Sequence, residues 1–219
     1  MRFVRTLVAN MVALSLLAGR MSAQTPSGGP PGPSPAADQN SWSFTASAYT
    51  FLVPDSENYV NPNFTADHDW LHLEARYNYE AQKAGSLWFG RNFKVGDKLA
   101  LEVTPMVGGV FGNLAGVAPG CNWSLSYWKI ELSSQNEYVF DLRDKSGNFL
   151  YTWSELSYSP IEWFRTGLVV QRTKAYKTDF DIQRGLLAGV SYKKLDFATY
   201  VFNFGWTDPT VVVSVAVNF

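Results

Sequence analysis

A single cysteine, Cys121, stands in 219 residues, so no intramolecular disulfide framework is possible. Histidine is nearly as scarce, with only His68 and His72. Imidazole is the usual base of serine and cysteine nucleophile systems, so such catalysis has few places to sit. Four residues apart, the two rings meet on a helix but not on a strand, and no metal site is expected. The glycines between Gly108 and Gly120 lack the lysine and the strand-to-helix context of a phosphate or dinucleotide loop, so no cofactor is expected either. An excess of basic residues is also missing: 18 Lys and Arg face 19 Asp and Glu, which argues against a nucleic-acid partner. Beyond residue 23 no apolar run approaches the about 20 residues of a spanning helix, and from Ser41 onward no convincing helical period is found.

Aromatic residues, by contrast, are abundant at 16%. Hydrophobic residues reach 46%, yet mean hydropathy is only -0.12, so apolar and polar residues are interleaved. The first 23 residues have the form of a secretory signal: Arg2 and Arg5 ahead of a mostly apolar stretch from Leu7 to Ala18, then Ser22-Ala23 as a cleavage site. Loss of the leader with Arg2, Arg5 and Arg20 leaves the remaining chain mildly acidic. Residues 24–40 are rich in proline and glycine, cannot build a ladder or a helix, and are expected to form a disordered linker on the periplasmic side.

The rest alternates. In the last segment Val211, Val213, Val215, Val217 and Phe219 share one face, while Thr210, Ser214, Ala216 and Asn218 share the other. Phe180, Ile182, Leu186, Ala188, Val190 and Tyr192 oppose Asp181, Gln183, Gly185, Gly189 and Ser191, with Arg184 intruding on the apolar side. Leu71, Leu73, Ala75, Tyr77 and Tyr79 oppose His72, Glu74, Arg76, Asn78 and Glu80. Period two means strands with one greasy and one polar face. A soluble sandwich and a membrane barrel share that pattern. The leader, the terminal Phe219, and Trp and Tyr mostly near strand ends (Trp42, Tyr59, Trp70, Tyr77, Tyr79, Trp123, Trp128, Tyr151, Tyr158, Trp163, Tyr192 and Trp206) favour the barrel.

An alternating final strand that ends on an aromatic resembles the terminal strand of bacterial outer-membrane barrels. There it is the recognition signal for the insertion machinery, and the resemblance gives Phe219 that role. The chain as a whole looks like a small porin-like barrel of a Gram-negative-type envelope, over about residues 41 to 219. The expected fold is therefore all-β, an antiparallel transmembrane β-barrel of twelve strands, at 41–52, 59–66, 70–80, 86–93, 98–108, 121–132, 136–143, 148–158, 161–172, 180–192, 195–204 and 210–219. The weak member is 59–66, which carries Pro62; ten strands is the alternative. Even strand number puts both ends in the periplasm, with 53–58, 81–85, 109–120, 144–147, 173–179 and 205–209 external. Periplasmic turns are then 67–69, 94–97, 133–135, 159–160 and 193–194. The glycine-rich 109–120 is either a loop over the mouth or two strands extended beyond the membrane.

Alternation then supplies lumen-lining candidates: His72, Glu74, Arg76, Glu102, Lys129, Glu131, Glu137, Asp141, Arg143, Glu155, Arg165, Asp181 and Gln183. Cross-strand pairing is expected to set Lys129 and Glu131 beside Asp141 and Arg143, and Glu155 beside Arg165. Such charges either select solutes or neutralise one another in a narrow lumen. The functional expectation is a narrow passive channel for small solutes, not an enzyme. The alternative is a non-conducting structural or loop-presenting barrel; a lipid-modifying enzyme using His72 is a third class. Outer-membrane lipids are the expected surroundings, and a monomer is the default because no constricting loop of trimeric-porin length is visible.

Overall fold

The structure, a computed structural model, describes residues 41–54, 56–175, 181–205 and 209–219. The signal, the linker, Phe180 and Trp206 lie outside them. Thirteen strands run in chain order: β1 Ser43–Leu52, β2 Tyr59–His68, β3 Leu71–Tyr77, β4 Ala84–Arg91, β5 Phe93–Val95, β6 Leu99–Gly112, β7 Gly116–Tyr127, β8 Ile130–Asp141, β9 Phe149–Ile161, β10 Phe164–Ala175, β11 Asp181–Tyr192, β12 Leu195–Phe202 and β13 Thr210–Asn218. Both β4 and β5 pair with β6, so β5 merely continues β4 past Asn92 and the barrel has twelve staves. All ladders are antiparallel. The β1–β13 ladder closes the sheet, with Phe44 and Phe219 exchanging main-chain hydrogen bonds of 2.8 and 3.0 Å at its end. Closure leaves no edge strand, the condition for a sheet to sit in lipid.

Pro62 does not interrupt β2. It pairs with Ala48 on one side, while the ladder to β3 begins only at Asn63, so its missing N–H falls where pairing has ended. Two expected connections need correction. The turn placed at 133–135 is instead at Trp128-Lys129, with Trp128 at φ 54°, and β7–β8 pairing is continuous in register from Tyr127↔Ile130 upward. The polar run Ser133-Ser134-Gln135 reads as loop chemistry, but a barrel lumen tolerates polar residues mid-strand. The glycine-rich stretch is not a loop over the mouth. Residues 109–112 end β6, 116–120 begin β7, and only 113–115 connect them.

Two rims differ. The turn rim carries the tight reversals Asp69-Trp70, Trp128-Lys129, Glu162-Trp163 and Lys193-Lys194; the loop rim carries longer connections such as 53–58, 78–83 and 142–148. The outward face is apolar and open: Leu87, Phe89, Val107, Leu168 and Leu186 are all about half exposed. Trp42, Trp70, Tyr127, Trp128, Trp163 and Tyr192 form an exposed belt near the turn rim, where amphipathic rings favour a headgroup layer. Tyr59, Tyr79 and Tyr151, which read as strand-end aromatics in the sequence, are corrected: they point inward and are buried.

Candidate functional site

Inward residues change character along the axis. Near the turn rim they are small, polar and partly accessible. Thr45 donates to Asn218 (2.8 Å), and Thr104 donates to Asn92, which donates to Asp67 (2.7 and 2.8 Å). Asp67 in turn lies 2.8 Å from His72 Nδ1. On the opposite wall Asp196 accepts from Arg165 at 3.2 Å and from Ser191 at 2.6 Å, and Glu155 lies 4.0 Å from Arg165. This is a polar vestibule.

Deeper, four charged side chains converge. Arg76 on β3 contacts Glu74 on the same strand at 2.7 Å, Glu137 on β8 at 2.8 Å and Glu80 of the β3–β4 connection at 3.6 Å. Glu74 also accepts from Asn63 at 2.6 Å and lies 3.6 Å from His72 Nε2. The guanidinium sits over the Tyr79 and Trp88 rings, 4.2 and 4.4 Å from their centroids. Trp88 Nε1 donates to Ser86 (2.9 Å) and to Glu80 (3.2 Å). Space for the indole comes from β6 and β7: a Cβ on Gly108 would lie 2.4 Å from the Trp88 ring, and one on Gly120 would lie 3.0 Å from it. Gly108 and Gly120, which resemble loop residues in the sequence, are therefore strand positions left empty for the Trp88 indole, Gly108 being its register partner on the neighbouring strand β6.

Toward the loop rim the lumen is filled. Tyr49, Phe51, Phe149, Tyr151, Tyr200 and Phe202 are at most 1% exposed. Trp153 packs edge-on against Tyr200 and Phe202, with centroids 5.2 and 5.1 Å away, and Phe51 stacks on Tyr59 at 4.7 Å. Twelve strands enclose a bore that side chains of this size can fill. Together these rings form an aromatic layer across the loop-side half.

The sequence-derived candidates are distributed as follows. His72, Glu74, Arg76 and Glu137 meet in the central cluster, and Glu155 and Arg165 meet in the vestibule. Glu131 lies near the turn rim beside Ser126, and Glu102 pairs with Lys94 at 2.6 Å in the open. Asp141, Asp181 and Gln183 have inward parity near the loop rim. Lys129 is a correction: it sits in the turn, donating to the Pro160 carbonyl at 2.6 Å rather than lining the lumen. Arg143 is another, in the 142–148 connection, donating to the Gly112 carbonyl at 3.0 Å. The expected pairing of Lys129 and Glu131 with Asp141 and Arg143 also fails, because Glu131 and Asp141 stand at opposite ends of β8. Misplacement of the β7–β8 turn is the source of that error. Asp67, Glu80 and Asp196 join the clusters from outside the candidate set; Asp196, between Leu195 and Phe197, had the alternation to reveal it. Among the described residues no group of three or more His, Cys, Asp and Glu is placed to hold a metal.

No family model and no curated protein sequence matches the chain. Solved structures do. The KdgM porin has a TM-score of 0.58 at 11% identity, over 80% of this chain and 99% of that one. The KdgM porin in complex with disordered oligogalacturonate matches with the same score at 10% identity, over 80% and 99% of the two chains. Pseudomonas aeruginosa OccK5 (OpdH) scores 0.43 at 8% identity, over 81% of this chain and 66% of that one. The likeness to KdgM shows the fold, a porin-like barrel.

Proposed function

We propose that the chain is an outer-membrane channel for small solutes, with its lumen closed by the aromatic layer in this conformation. The observation that carries this reading is the polar vestibule, which leads from the turn rim to a charged cluster inside a closed barrel. A purely structural barrel has no need to hold Arg76 and its carboxylates away from water, since buried ion pairs rarely add stability over apolar packing. By the rule that barrel turns are periplasmic and loops external, the vestibule opens to the periplasm and the layer faces outside. The surroundings are outer-membrane lipids, and Phe219 with β13 forms the signal to the insertion machinery. Oligogalacturonate, the ligand in one KdgM structure, is not carried over, because the central cluster sets three carboxylates against one guanidinium.

The packed layer itself favours a second reading, a non-conducting barrel that presents its external connections. Refolded protein in a planar bilayer decides between them. Reproducible unitary steps, enlarged in Tyr49→Ala and Tyr200→Ala, support the channel. A folded, heat-modifiable barrel that stays silent in the wild type and in both variants selects the non-conducting reading.

A further inference from the structure

The sign of the charges is uneven in a way that alternation alone does not reveal. Among the described strands every aspartate and glutamate has inward parity, on β2, β3, β6, β8, β9, β11 and β12. Glu80 joins them from the β3–β4 connection, where it accepts from Ser86 at 2.6 Å. Among the described strands only Arg76, Lys94, Arg165 and, when protonated, His72 oppose them from inward positions. Arg91, Arg172, Lys174 and Arg184 have outward parity. Each deep cation is shared: Arg76 among Glu74, Glu80 and Glu137, and Arg165 between Glu155 and Asp196.

In the central cluster Glu80 Oε2, Glu137 Oε1 and Asn63 Oδ1 are buried with no hydrogen-bond partner, and so is one donor, Arg76 Nε. A buried carboxylate oxygen without a donor is costly, more so where the local dielectric is low. Carboxylates in excess over inward cations attract cations into a bore and repel anions from it.

We propose that this lumen prefers cations over anions. The inference rests on the channel reading. The test is the reversal potential of the refolded chain across a tenfold KCl gradient. A potential of the sign set by K⁺ permeation is expected, moving toward zero in Glu137→Gln and further in Glu80→Gln/Glu137→Gln. Open channels with a zero or Cl⁻-signed potential overturn it. Absence of any conductance overturns the channel reading instead. Both substitutions keep side-chain shape, and heat-modifiable migration of each variant confirms that it has folded.

Discussion

The turn-side and loop-side halves of this lumen are built from the same twelve staves but solve different problems. On the turn side, Thr45, Asn92, Thr104 and Asp196 remain partly accessible, and their hydrogen bonds compete with water. On the loop side, Tyr49, Phe51, Tyr151, Tyr200 and Phe202 exclude water altogether. Between them sits Arg76, more deeply buried than a charge would be without partners, which is why three carboxylates and two rings surround it. The contrast shows that inward parity sets only which face a residue takes. Depth along the axis then decides whether an inward residue behaves as a wetted wall or as a core.

Substitutions in the two halves should therefore differ in cost even where their chemistry is alike. The largest effect is expected from Arg76→Met, which strands buried carboxylates: about 3–5 kcal/mol of stability lost in urea unfolding from lipid vesicles. A loss under about 1 kcal/mol would mean that water reaches the cluster and that the division between halves is wrong. Trp153→Ala empties the layer against Tyr200 and Phe202 and should cost about 3–5 kcal/mol by the same measurement. An accompanying rise in unitary conductance would identify those rings as the barrier. Gly108→Ala drives a methyl into the Trp88 indole and should cost about 1–3 kcal/mol. Its neighbour Gly109 is the control: a Cβ there would meet nothing within 4 Å, and Gly109→Ala should leave the midpoint nearly unchanged. The smallest effect is expected at the turn rim. Lys94→Gln breaks an ion pair whose side chains are 67% and 41% exposed, worth about 0–1 kcal/mol and screened by salt. A cost comparable to that of Arg76→Met would erase the difference between wetted wall and core.

Much of the fold is legible in the residues. Val211 to Phe219 and Leu71 to Tyr77 alternate so that their faces are fixed once a strand is assumed, Ile182 to Tyr192 does so but for Arg184 and Leu187, and the structure places all three so. Turns without turn chemistry are not legible. Trp128-Lys129 offers no glycine, asparagine or proline, so the serines that follow attract the β7–β8 reversal and carry Lys129 into the lumen with it. The glycines from 108 to 120 mislead in the opposite direction. What Gly108 and Gly120 leave room for is visible only when the pairing of β4 with β6 sets Trp88, some twenty residues earlier in the chain, against them.

Local pattern alone, then, specifies an all-β barrel with a greasy outside and a polar inside, because a period of two survives along almost every segment and needs no knowledge of partners. It also specifies that Glu74, Arg76, Glu155 and Arg165 face inward, since parity is local. Closure of the barrel was needed to decide that Arg76 is shared with Glu137 and Glu80, that Asp196 completes the Arg165 pair, and that tyrosines from β1, β9 and β12 close one half of the bore. Those outcomes depend on shear, which sets the height of each stave against staves across the lumen, and shear is a property of the closed ring that no single strand carries.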